Sequence, residues 1–203
     1  MQGEVAYQDA HIFAQHIVIA IECMNQSCAM DRVFSDPECS SSYKIAPRFF
    51  RTTYHALRFR FEIEVSKLFD QKGKSFDSFK NELTQNNLLR LDFAEAYKNA
   101  KQTAQKDIEQ IRVRRNKIHA HSDIETFRNP DIFSEEHPFD WESIRKLLFS
   151  MLNICNWIIL TQTKAEIPQL YGADNSDDFV RLFGCETEFE KYNEILKEWT
   201  GKS

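Results

Sequence analysis

The sequence predicts an all-α fold, a helical bundle, on three observations. Apolar residues recur at spacings of three and four over long stretches, as in Phe93, Tyr97, Ala100, Ala104, Ile108 and Ile111, the stripe of a helix that turns one face to a core. Only five Gly and five Pro occur in 203 residues, too few for the turns of an all-β protein. The 17 Phe point to bulky packing between helices. A chain of this length can bury a full core and reads as one domain over residues 1–203, with 1–40 an N-terminal helix and 165–203 covering helices.

The first helix is predicted from about Gln8 to Arg32, with Ile12, His16, Ile19, Cys23 and Met24 near one face. His11 and His16 read as structural or exposed, because no carboxylate, cysteine or hydroxyl stands at a suggestive spacing nearby. Asp36-Pro37 and Ser40-Ser41-Ser42 mark a loop. The second helix contains an ambiguity: Arg58-Phe-Arg-Phe-Glu-Ile-Glu-Val alternates as a half-buried strand would. Phe50, Tyr54, Leu57, Phe61, Val65 and Leu68 nevertheless keep helical spacing, and Arg58 with Glu62 and Arg60 with Glu64 are opposite charges at i,i+4. The prediction is helix, with Glu62 and Glu64 as surface charges on different sides.

Gly73 ends that helix, and Ser75 caps a short one. The long stripe from Phe93 follows. After it, Ser122-Asp123 and Arg128-Asn129-Pro130-Asp131 break the pattern, and a loop runs to Pro138. Asp140 is the expected N-cap of a helix whose Ile144, Leu148, Met151, Cys155 and Ile159 form one apolar face and Leu147, Ile154 and Trp157 a second. Two apolar faces imply central packing or a subunit interface. Beyond it, Ser176 starts an amphipathic segment carrying Phe179, Leu182 and Phe183, continued by Phe189, Tyr192, Leu196 and Trp199.

Composition bounds the function. With 42% hydrophobic and 28% charged residues the chain reads as soluble and globular. Its start lacks a basic n-region, and the apolar segment Leu147 to Leu160 is shorter than the roughly 20 residues that span a bilayer. A cytoplasmic protein with no membrane partner is expected. The five cysteines follow no C-x-x-C spacing, which indicates neither a disulfide framework nor a metal site. No P-loop, Rossmann glycine pattern or Ser/His/Asp arrangement is present, and no cofactor is expected.

The functional candidate lies where the long stripe ends. Arg112 to His121 holds four Arg or Lys and no acid in a chain of formal net charge -5. Such a run can be a solvated basic face that complements the helix dipole. The stripe continues with Arg115 and Ile118, and an arginine in that position snorkels out, meets a buried partner, or points into a cleft that takes an anion. His119 and His121 add imidazoles. Two positions apart on a helix they diverge by about 200°, which makes a shared metal a minor reading.

The order Arg115-Asn116-x-x-x-Ala120-His121 resembles the Arg-x(4-6)-His motif of the HEPN superfamily, and Arg-Asn-Lys-x-x-Ala-His-Ser-Asp is most similar to its AbiU-like branch, linked to abortive phage infection. The likeness covers roughly Phe49 to Leu160. It implies a metal-independent endoribonuclease, a toxin or antiphage effector, in which Arg115, His121 and Asn116 are catalytic and Arg112, Arg114, Lys117 and His119 bind RNA. The alternative it allows is a non-catalytic module that binds RNA, a nucleotide or a protein partner. On an ideal helix Arg115 and His121 differ by about 240°. Either the helix ends and lets His121 turn back, or a homodimer formed through the motif helix completes the site, as the resemblance implies. A cognate antitoxin is possible under the same resemblance. Related toxins carry a modifiable tyrosine two residues past the histidine, where this chain has Asp123.

Overall fold

The computed structural model describes residues 2–35, 46–70, 73–117 and 136–163. Among them are five helices and no strand: α1 Gln2–Ser35, α2 Pro47–Leu68, α3 Phe76–Gln85, α4 Leu91–Arg115 and α5 Trp141–Thr163. The all-α expectation holds, and α1 is longer at both ends than its stripe predicted. The segment after the motif and the C-terminal covering helices lie outside the described residues. The chain forms two compact units, one from Met1–Ile21 with Phe59–Gly172 and the other from Glu22–Arg58 with Ala173–Ser203.

In the first unit the core is aromatic near α3. Phe13 of α1 meets Phe76 edge-on at 5.3 Å and Phe79 at 5.1 Å, and Phe76 packs on Tyr97 of α4 at 5.3 Å. Phe76 and Phe79 are fully buried because α3 is short and presents one apolar stripe, ending in Leu83. Ser75 caps its start, accepting from the Ser78 N–H. Its end is a Schellman closure: Leu88 N–H donates to the Leu83 carbonyl at 2.9 Å, and Asn87 takes a left-handed φ of 54°. The Leu88 carbonyl then accepts from the Trp157 indole at 3.2 Å, which fastens the α3–α4 turn to α5.

Helices α4 and α5 pack along each other. Tyr97, Ala104, Ile108 and Ile111 of the predicted α4 stripe are buried, opposite Ile144, Leu147, Leu148, Met151, Ile154 and Cys155 of α5. Asp140 is the N-cap of α5, its carboxylate accepting from the Glu142 N–H at 3.0 Å. Asp107 of α4 reinforces that end by accepting from the Asp140 N–H at 2.9 Å and from the Ser143 hydroxyl. Burial also pushes the Cys155 thiol well above its ordinary range. Helix α5 outgrows its apolar segment, and by length and composition alone it could cross a membrane, although half of that stretch is buried inside the protein.

Helix α2 corrects the sequence reading. Glu62 and Glu64 do diverge around the helix, but both are buried, at 1% and 0% exposure. The strand-like alternation arises because α2 is enclosed on more than one side, so carboxylates as well as Phe61 and Val65 face protein. Arg60 pairs with Glu64 at 2.8 Å as expected, and Lys67 joins at 3.1 Å. His16 also meets Glu64, its Nδ1 2.6 Å from the carboxylate. The sequence reading missed this partner because it stands 48 residues away.

In the second unit Met24, Met30 and Val33 of α1 and Phe50 of α2 are buried. Burial raises the Tyr54 hydroxyl above its ordinary pKa, and that hydroxyl accepts from Arg58 at 2.8 Å.

Phe76→Ala is expected to destabilise the protein by about 3–5 kcal/mol, since the vacated volume lies between three fixed aromatic rings. Urea denaturation read by circular dichroism measures it, and a loss below about 1 kcal/mol would mean that this cluster is not part of the core.

Candidate functional site

The end of α4 is built around a buried ion pair. Arg114 Nε donates to Glu62 Oε1 of α2 at 2.7 Å, and the two residues are 4% and 1% exposed. The Arg114 guanidinium lies over the Phe139 ring at 5.6 Å, and Phe139 stacks on Phe61 at 5.8 Å. A buried carboxylate without a cation would cost several kcal/mol, so Glu62 fixes which arginine turns inward. It is Arg114, three residues after the fully buried Ile111, rather than Arg115, four residues after it.

Arg114, read from the sequence as an RNA-binding residue, is therefore placed in the core with its charge balanced by Glu62. Arg115 is half-buried, and its Nε is shielded from solvent with no hydrogen-bond partner among the described residues. Arg112 is also half-buried and reaches Glu109 at 3.5 Å, whereas Asn116 and Lys117 are exposed. The helix changes winding at Asn116 and Lys117, which adopt a π turn. Such turns widen the spiral and re-aim the side chains that follow. His119 and His121 lie outside the described residues.

A second group at this end escaped sequence reasoning. His137, on the segment leading into α5, places Nε2 3.0 Å from Lys117 Nζ and Nδ1 3.0 Å from Gln110 Oε1. Its backbone carbonyl accepts a longer bond, 3.4 Å, from Arg114 Nη1. An ammonium group can only donate, so Nε2 accepts and the imidazole proton sits on Nδ1, donated to Gln110. His137 is thereby held neutral. Desolvation, then the charges of Lys117 and Arg114, lowers its pKa against the opposing pull of Glu136. Nothing local in Glu136-His137-Pro138 signals this, because its partners lie 20 to 27 residues upstream. Glu62 did leave a trace, since it continues the half-buried row of Tyr54 and Arg58 at intervals of four.

Together these residues place Arg112, Arg115 and Lys117 within two turns, with the one fully buried arginine of the run neutralised behind them. This concentration of donors suits an anion with several oxygens. No group of residues able to hold a metal ion occurs among the described residues.

Residues 37–182 match the family model of HEPN AbiU2, described as AbiU2. No curated protein and no solved structure matches the chain.

Two outcomes are expected of the buried network. Glu62→Gln is expected to cost about 3–5 kcal/mol in urea denaturation, with Glu62→Met combined with Arg114→Met recovering most of it, since both charges then leave the core together. A single substitution as stable as wild type would show the pair to be solvated. Stability is also expected to fall as pH drops below the ordinary histidine value of about 6.5, because the unfolded chain then binds a proton that folded His137 resists. His137→Gln should flatten that part of a pH–stability curve, and an unchanged slope would contradict the neutral tautomer.

Proposed function

The chain belongs to the HEPN AbiU2 family, an abortive-infection class of HEPN module, and we propose on that premise that it is an endoribonuclease, a toxin or antiphage effector acting in the cytoplasm. The observation that carries the proposal is Arg115: it stands where the sequence resembles the HEPN arginine motif, is half-buried, and leaves its shielded Nε without a hydrogen-bond partner among the described residues, beside Asn116. An arginine buried for stability alone would have a carboxylate, as Arg114 has.

In this reaction an RNA 2'-oxygen gives up its proton and bonds to the adjacent phosphorus, while the bond from phosphorus to the 5'-oxygen breaks and that oxygen takes up a proton. His121 moves protons near neutral pH, Arg115 offers two donors to the phosphoryl oxygens, and Asn116 orients them. Arg112, Lys117 and His119 hold the flanking phosphodiester, with Lys117 steadied by His137. Arg114 acts from behind, as the anchor that sets the helix end.

A homodimer completes the site. Its support is a groove of about 550 Å³ between α4 and α5, lined by Phe93, Ala96, Ala100 and Phe149 together with the charged Glu142, Arg145 and Lys146. Phe149 is 38% exposed there. Small alanines beside an exposed aromatic ring favour close approach of a second copy.

Purified protein is expected to cut single-stranded RNA in EDTA, leaving 2',3'-cyclic phosphate and 5'-hydroxyl ends, and to spare DNA. His121→Ala should abolish cutting with fold and dimer intact, and Arg115→Ala should cost on the order of 2–4 kcal/mol in transition-state stabilisation. Wild-type cutting by His121→Ala would remove that residue from the mechanism. Binding of RNA by the wild type without any cutting would make the chain a non-catalytic module.

A further inference from the structure

Helix α2 begins with a basic and aromatic face that neither the ion-pair network nor the motif uses. From Cys39 to Phe61 the sequence has five Lys or Arg and no Asp or Glu, within a chain of net charge -5. Within the unit that contains Glu22–Arg58, the first turns of α2 expose Arg48, Phe49, Arg51, Thr52 and His55. At about 100° per residue, Arg48, Arg51 and His55 fall within about 60° of one another, and Phe49 stands on their flank. No ion pair joins Arg48 or Arg51 to a carboxylate among the described residues. Phe49 is 65% exposed, with only an edge contact at 5.4 Å to the ring of its buried neighbour Phe50.

These two features call for the same partner. A solvated basic face would account for the arginines, but the phenyl ring on the adjoining face keeps 65% of its surface in water beyond its edge contact with Phe50, and that open face can take a planar partner. An acidic protein segment would satisfy the charges and leave the ring without a planar partner. Single-stranded nucleic acid presents both a line of phosphates for the arginines and base faces for the ring.

We infer that the N-terminal half of α2 is an RNA-docking face, on which Arg48 and Arg51 hold phosphates and Phe49 stacks a base of the single-stranded RNA that this protein acts on. The inference rests on the reading of the chain as an RNA-acting protein. It assigns the face a role in binding, separate from the bond-breaking end of α4.

The test uses the full chain and a fluorescent single-stranded RNA of about 20 nucleotides whose 2'-oxygens are methylated, so that the proposed reaction cannot cut it. Anisotropy across a salt series should give binding that Arg48→Glu with Arg51→Glu weakens by roughly tenfold or more. The slope of log affinity against log salt should shrink by at least about 1, since each phosphate contact on a single strand contributes about 0.7. Phe49→Ala should weaken binding by about fivefold or more with the slope unchanged, the signature of lost stacking. Unchanged circular dichroism and melting temperature confirm that each variant is folded. Wild-type affinity and slope in all these variants would overturn the inference, as would equal binding of a polyglutamate peptide, which would assign the face to a protein partner. The two readings fail separately: wild type that binds through this face but never cuts unmodified RNA loses the nuclease proposal and keeps the docking face. Variants that bind as wild type while wild type cuts lose only the docking face.

Discussion

The pairing of Glu62 with Arg114 is the constraint on which the geometry of this protein's motif depends. A carboxylate buried on α2 requires a cation within hydrogen-bonding distance, and α4 supplies one at 2.7 Å. That requirement sets the rotation of α4 about its own axis at its C-terminal end. With Arg114 turned inward, the helix cannot also bury Arg115 fully, and Arg112, Arg115 and Lys117 are left toward the surface or half-way to it. Replacing such a pair by hydrocarbon often stabilises a protein. Its retention here accords with a role in orientation, since an apolar pair would hold the two helices together without choosing which arginine faces out.

The same pair links the α4 end to the chain entering α5. Arg114 touches the ring of Phe139 and the carbonyl of His137, and His137 in turn holds Lys117. Lys117 carries no buried stem to fix it, and a free lysine side chain would sample many rotamers at a cost in order each time it bound an anion. The imidazole removes part of that freedom before a ligand arrives. It can do so only while neutral, which its surroundings favour.

The fold was largely legible because helical stripes are a local property. The α4 stripe, the Ser75 and Asp140 caps and the burial of the Leu147 to Leu160 segment all follow from residues three or four apart. What could not be read was the partner of each buried charge. Glu62 and Glu64 were taken for surface charges, and His16 was read as structural or exposed with no partner in view, because their partners on other helices are 48 to 52 residues distant. Which arginine turns inward was left open for the same reason: the stripe continues through Arg115, but the carboxylate across the interface selects Arg114. His137 was missed altogether, since its partners Lys117 and Gln110 stand 20 and 27 residues upstream.

The π turn at Asn116 and Lys117 bears on how the motif can work at all. A straight α-helix would carry His121 to the far side from Arg115. The change of winding at Asn116 and Lys117 begins where the helix has its last buried anchor in Arg114. Upstream, Ile108, Ile111 and Arg114 hold the helix against its neighbours, so the change cannot begin earlier without breaking the ion pair. Downstream, Asn116 and Lys117 are exposed and the backbone is free of that constraint. The buried pair therefore marks the end of the part of α4 that is held against its neighbours, and it fixes how Arg115 is presented.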